Sequence, residues 1–119
     1  MHVIGIVGWK NSGKTTLVVA LVRLLTERGL KVATIKHAHH DFDIDHPGKD
    51  SWRHREAGAS DVIVASGARW AQVHELRGAA EPELDELLPR LSAGTDIVIV
   101  EGFKRDPHDK IEVVPPDCA

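Results

Sequence analysis

Apolar positions along the chain follow two different spacings, and these divide it into elements. Val3 to Val7 is a short β-branched run, and with His2 it reads as a buried strand. Gly5 inside that run marks a place where another part of the chain approaches the backbone closely. From about Thr15 to Arg28 the spacing changes. Leu17, Leu21, Leu24 and Leu25 recur at i, i+4, i+7 and i+8, an amphipathic helix that Gly29 ends. Lys31 to Lys36 is a second strand, and strand–helix–strand in that order argues a right-handed parallel unit. Asp50 or Ser51 is positioned to cap a short helix over Trp52 to Ala57, with Gly58 as its stop. Asp61 to Ser66 reads as a third strand. After the Gly67-Ala68 turn, Arg69 to Leu76 reads as its antiparallel partner. Pro82 suits the first turn of a helix with Leu84, Leu87, Leu88 and Leu91 on one stripe, which Pro89 should kink or shorten. Ile97 to Val100 is a fully apolar strand. Lys110 to Val114 is a last short one before Pro115-Pro116.

This order of elements predicts an α/β fold: a mostly parallel sheet flanked by helices, with one antiparallel hairpin, as a single domain over residues 1–119. Composition narrows what the domain can bind. Hydrophobic residues make up 42% of the chain, enough for a core, while a net charge of −3 offers no broad basic footprint for nucleic acid. Cys118, the one cysteine, excludes an internal disulfide framework and a four-cysteine zinc site. With no tyrosine and 2 phenylalanines, aromatic platforms for stacking bases are not expected. No apolar run approaches membrane-spanning length and no signal-peptide pattern is present, so the cytoplasm is the expected compartment.

Between the first strand and the first helix lies Gly8-Trp9-Lys10-Asn11-Ser12-Gly13-Lys14-Thr15, followed by Thr16. It fits the phosphate-binding pattern G-x-x-x-x-G-K-[ST], in the strand–loop–helix context that the motif needs. Gly8 and Gly13 permit backbone conformations in which amide N–H groups turn towards phosphate oxygens. The start of the helix adds unpaired N–H groups and the positive end of its dipole. Lys14 can reach β- and γ-phosphates as a point charge, and the Thr15 hydroxyl is the expected Mg²⁺ ligand.

A second acid completes the expectation. In Asp96-Ile-Val-Ile-Val-Glu101 the two carboxylates bracket a strand and lie about 15 Å apart at ~3.3 Å per residue. Ligands bind at the carboxyl ends of parallel strands, so Glu101 is the candidate to hold a metal-bound water or Mg²⁺, whereas Asp96 caps or faces solvent. The stretch from His37 to Gly48 leaves the same sheet edge. Its Asp41, Asp43 and Asp45 could each orient Mg²⁺ or water, and His37, His39, His40 and His46 resemble a metal cluster by composition alone. Lys36, Lys49, Arg53 and Arg55 supply local positive charge for a second anionic ligand, or are ordinary surface charge. The guanine-reading Asn/Thr-Lys-x-Asp pattern is not visible, so the residues themselves say nucleoside triphosphate without naming the base.

Taken in order, several segments resemble the molybdopterin-guanine dinucleotide biosynthesis protein B (MobB) family, P-loop GTP-binding proteins. They are Gly8-x-x-Asn11-Ser-Gly-Lys-Thr-Thr-Leu17, Ile35-Lys-His-Ala-His-His40, Phe42-Asp-Ile-Asp45-x-Pro-Gly-Lys-Asp-Ser51, Ala57-Gly-Ala59, Val100-Glu-Gly-Phe-Lys104 and Lys110-Ile-Glu-Val113. The segment from Lys36 to Ser51 is what separates this family from other phosphate-loop proteins. The resemblance implies a P-loop NTPase-like fold, GTP and Mg²⁺ as cofactors, weak intrinsic GTPase activity and a homodimer. It further implies action beside the guanylyltransferase MobA, which joins a GMP unit to molybdopterin, in support of nucleotide or cofactor delivery.

Carried over by position, Asn11, Ser12, Gly13, Lys14, Thr15 and Thr16 would bind phosphates, with Thr15 on Mg²⁺. Asp45 and Glu101 would serve the metal or the water and, with Lys14, form the catalytic set. Lys36, His37 and Lys49 would bind the cofactor within a mobile loop close to nucleotide or pterin phosphate. Family members usually continue past the strand at Lys110, so the chain reads as C-terminally shortened, in the region where a base-recognition loop is expected. Two other classes share the phosphate loop. A small-molecule kinase would need a catalytic acid (Asp43 or Asp45) and an arginine lid, for which Arg53 and Arg55 are the nearest candidates. A metal-insertion GTPase would use the histidines.

Overall fold

The structure is a computed structural model that describes residues 1–8, 13–38 and 49–114. They fall into two compact units, one formed by residues 1–39 with 83–119, the other by residues 40–82.

The first unit is built on a four-stranded sheet. Its strands are β1 (His2–Gly8), β2 (Val32–Lys36), β5 (Ile97–Glu101) and β6 (Asp109–Val113), in the order β2-β5-β1-β6. All three pairings are parallel. β5 is central because its sequence suits no other place: Ile97, Val98, Ile99 and Val100 are 8%, 0%, 1% and 0% exposed, so both faces of this strand are covered. Each such side chain contributes about 1.5–3 kcal/mol by leaving water. On one face Val98 and Val100 pack with Leu84, and Val3, Ile35, Leu88, Leu91 and Phe103 close around them. Ile6 and Ile99 are buried on the opposite face. Helix α1 (Lys14–Glu27) connects β1 to β2 and packs against both.

Several boundaries differ from the periodicity reading for physical reasons. No residue of α1 is fully buried, and Leu24 is 44% exposed, so the inward stripe is Leu17, Leu21 and Leu25 with half-buried Val18 and Val22 beside it. Pro82 stands outside its helix. Glu83 is the N-cap of α3 (Leu84–Leu87), in a reciprocal capping box with Glu86. Pro89 shortens the helix as expected: α3 passes into a single 3₁₀ turn at Leu88–Arg90.

The second unit holds α2 (Asp50–Glu56) and the antiparallel pair β3 (Asp61–Ala65) and β4 (Trp70–His74). Lys49, rather than Asp50 or Ser51, is the N-cap residue of α2, and Asp50 lies in its first turn. Val62 and Val73 face each other across the hairpin, and Val62 is 7% exposed. Arg77, at φ 48°, donates from Nη2 to the carbonyls of Arg55, in the last turn of α2, and Ala59, just beyond it, both at 3.2 Å. Arg55 Nη1 is paired with Glu75 Oε1 at 2.9 Å. At the hairpin's end His74 Nδ1 lies 2.7 Å from Asp61 Oδ1, and this contact is the main cause of the lowered carboxyl pKa of Asp61.

Gly5 marks the close approach that its place in β1 predicts. A Cβ on it would lie 2.5 Å from Nε2 of His108, whose ring covers the strand. Both ring nitrogens of His108 are buried and have no hydrogen-bond partner among the described residues. Burial, and secondarily the Lys110 ammonium, hold its pKa below the usual 6.5, against the opposite pull of Asp106 and Asp109. The folded state therefore favours the neutral ring. Between its lowered folded pKa and 6.5 the unfolded chain binds more protons, so this contribution to stability is complete above 6.5 and lost as pH falls through that window. Thermal unfolding followed from pH 7.5 downwards should show the wild type losing midpoint temperature more steeply than His108→Phe. Parallel curves would contradict the assignment.

Candidate functional site

The parallel register decides what meets at the carboxyl edge of the first unit. Lys36, the last residue of β2, is in register with Glu101, the last residue of β5, and Glu101 is in register with Ile6 on its other side. Gly8 ends β1 two residues beyond Ile6. Gly13 follows as the N-cap of α1 with φ 95°, a left-handed conformation open to glycine. Lys14, Thr15 and Thr16 form the first turn of the helix, whose N-cap has no side-chain capping bond and whose first turn has no acid. Their amides have no partner one turn earlier in the helix, so this end presents donors and a positive dipole to whatever lies before it. Lys14 is half-buried, while Thr15 and Thr16 are exposed.

Gly8, Gly13, Lys14, Thr15, Thr16, Lys36, His37 and Glu101 thus belong to one unit and one end of its sheet. Asn11, Ser12 and Asp45, and with them Asp41, Asp43, His39, His40 and His46, lie outside the described residues. Lys49 belongs to the second unit, at the start of α2. Arg55, read as a candidate charge for an anion, is committed to Glu75 within that unit. Among the described residues there is no group of three or more His, Cys, Asp or Glu side chains that could hold a metal ion.

Asp96 sits at the opposite end of β5 from Glu101, as the strand length requires. Its Oδ2 accepts the Lys31 N–H at 2.7 Å, its N–H donates to the Lys31 carbonyl at 2.8 Å, and its carbonyl accepts from His2 N at 3.0 Å. It ties the starts of β1, β2 and β5 together.

One residue at the carboxyl edge carried no role in the sequence reading. Phe103, two positions after Glu101, has φ 53°, and its ring centroid lies 4.8 Å from that of His37. A left-handed phenylalanine costs on the order of 1–3 kcal/mol and persists only where packing holds it. The available signal was one of only 2 phenylalanines standing directly behind Glu101-Gly102.

Comparison with known proteins agrees with this arrangement. The family model for molybdopterin guanine dinucleotide synthesis protein B matches residues 3–119. A molybdopterin-guanine dinucleotide biosynthesis adapter protein of Haemophilus influenzae is 46% identical over 109 residues, which cover 91% of this chain and 60% of that protein. The Escherichia coli protein of the same description is 45% identical over 104 residues, covering 87% of this chain and 59% of its own length. The chain therefore spans about 60% of the length of these curated relatives. Among solved structures, a molybdopterin-guanine biosynthesis protein B superposes with a TM-score of 0.74 at 36% identity, over 94% of this chain and 68% of that one. The Bacillus subtilis MobB structure gives 0.75 at 30% identity, over 95% and 68%.

The two ends of β5 are expected to behave differently on substitution. Asp96→Ala should cost about 1 kcal/mol of stability through the lost Lys31 bond, read by denaturant unfolding, while phosphate-ligand affinity stays at the wild-type value. A loss of affinity in folded Asp96→Ala would contradict this division. The phosphate-loop pattern, the Lys36–Ser51 segment, the sheet that places Gly8, Gly13 and Glu101 at one edge, and a match over residues 3–119 all agree: the chain belongs to the MobB family.

Proposed function

We propose that this chain acts as a GTP-binding adapter in molybdopterin-guanine dinucleotide biosynthesis, a cytoplasmic homodimer that assists the guanylyltransferase MobA and hydrolyses GTP weakly with Mg²⁺. The observation that carries the reading is the family match over residues 3–119, with relatives described as adapter proteins of that synthesis. What supports nucleotide binding is local geometry: a left-handed Gly13 opening α1, Lys14 in its first turn, and Glu101 ending the neighbouring β5. Among the described residues no hydrogen bond or ion pair engages the Lys14 ammonium or the Glu101 carboxylate, which suits one group for phosphate and the other for a cation.

In this reading the amides of residues 13–16 and Lys14 hold the phosphates, and Asn11 and Ser12 extend the cradle. Thr15, Asp45 and Glu101 are the residues that would hold Mg²⁺, which would neutralise phosphate charge. Asp45 or Glu101 orients the attacking water. Lys36, His37 and Lys49 contribute charge and hydrogen bonds for the nucleotide or the pterin phosphate. The choice of guanine rests on the guanine dinucleotide in the relatives' descriptions. Against a small-molecule kinase stands Arg55, a candidate for an arginine lid, which is spent on Glu75 in its own unit.

Titration of GTP and ATP with Mg²⁺ tests the reading. GTP should bind more tightly than ATP, and Lys14→Ala should weaken GTP about 10- to 100-fold, the equivalent of a charged hydrogen bond at ~1.5–3 kcal/mol. Glu101→Gln should raise the Mg²⁺ concentration needed for half-maximal binding. Equal binding by wild type and Lys14→Ala would refute the phosphate-loop assignment, and a clear ATP preference would favour the kinase. Stimulation of turnover by molybdopterin or by MobA, and none by acceptor alcohols, would separate adapter from kinase.

A further inference from the structure

Two consecutive residues after β5 have positive φ, Gly102 at 98° and Phe103 at 53°. Glycine takes such a conformation freely and phenylalanine rarely does, so something holds Phe103 there. Its ring has neighbours of two kinds. It packs against the buried cluster of Leu84, Val98 and Val100, and it meets the His37 imidazole at a centroid distance of 4.8 Å and an interplanar angle of 31°. His37 reaches the same corner through its backbone: its N–H donates to the Glu101 carbonyl at 2.8 Å, one rung beyond the Lys36–Glu101 register. Gly102 completes the fit, because a Cβ there would lie 2.7 Å from the His37 Cβ.

Core packing alone does not explain this corner. An aliphatic side chain can fill space against Leu84 and Val100, but only a ring can stack on the imidazole. The aromatic contact joins the end of β5, where Glu101 sits, to the first residue after β2. These two points must keep a fixed spacing if both serve one phosphate-bearing ligand and its cation.

We infer that Phe103 is a positioning residue for the phosphate site: by stacking on His37 it holds that imidazole at the carboxyl edge of the sheet, next to the end of β5, where the ligand would lie. Phe103 acts through His37 and touches no ligand itself. The inference rests on the nucleotide reading above for its ligand, and on the stack alone for its geometry.

Binding of a fluorescent GTP analogue with Mg²⁺ to the full chain tests it, in wild type, Phe103→Leu, Phe103→Tyr, His37→Ala and the Phe103→Leu/His37→Ala double variant. Phe103→Leu keeps an apolar group on the core and removes the ring. It should weaken binding about 2- to 10-fold, the range of one aromatic pair. Phe103→Tyr, which keeps the ring, should bind as wild type. Adding Phe103→Leu to His37→Ala should bring no further loss, because the contact is already gone. In the ligand-free chain the His37 ring protons should lose their ring-current shift in Phe103→Leu and keep it in Phe103→Tyr. Should Phe103→Leu fail to fold, Phe103→Met is the second ring-less variant.

Wild-type affinity in the folded ring-less variant, additive losses in the double variant, or unmoved His37 resonances would each overturn the inference. A general packing defect would lower the unfolding temperature in every ring-less background and would not vanish with His37. If Lys14→Ala leaves nucleotide binding intact, the nucleotide reading fails by itself. The ring-current measurement then still decides whether Phe103 positions His37.

Discussion

The first unit depends on the burial of β5 between β1 and β2. Ile97 to Val100 have no exposed face, and parallel pairing on both sides leaves the strand no other position. Once β5 is seated, the register brings Lys36, Glu101 and the end of β1 to one edge and Asp96 to the other. The polar residues that bracket the strand inherit opposite tasks from its direction. Asp96 ties strand starts together through Lys31 and His2, while Glu101 is left at the edge where α1 begins. Apolar burial does most of the energetic work, and the placement of polar groups follows from it.

That carboxyl edge is bounded by two left-handed corners, Gly13 before α1 and Gly102-Phe103 after β5. Each turns the chain sharply where a regular strand or helix would carry it away. At Gly13 the turn leaves the first amides of α1 without intrahelical partners, the condition for holding an anion. At Gly102-Phe103 the turn brings an aromatic ring against His37 and keeps it in contact with the core. The edge is thus held from one side by a helix start and from the other by packing that extends from the buried cluster.

The second unit is built on different forces. Its hairpin leaves much of its apolar surface uncovered: Ile63, Val64 and Trp70 are 63%, 49% and 66% exposed. Charged and polar contacts add to the packing here, with Arg55 on Glu75, Arg77 on the carbonyls of Arg55 and Ala59, and His74 on Asp61. Such pairs are individually modest in water. They decide which cations remain available, and for that reason a count of arginines in the sequence overstates the charge that this unit can offer to a ligand.

Much of this was legible in the residues. The apolar run of β5, the helical spacing after Gly13 and the glycine within β1 predict the elements and the close approach that the fold contains, because hydrophobic period and steric need are local properties. The strand length alone separates Asp96 from Glu101. The phosphate-loop letters and the Lys36–Ser51 segment were enough to point to the family. Other features depended on distant neighbours. The sequence could not place β5 between β1 and β2, assign Arg55 to Glu75, or show that Pro82 lies outside a helix capped by Glu83. Nor did it give Phe103 a role, since its value lies in stacking on His37, 66 positions earlier by number but adjacent across the register. Local pattern determined which elements form and what chemistry they carry; tertiary packing decided which of those groups meet, because contact between distant residues is set by the burial of the whole sheet.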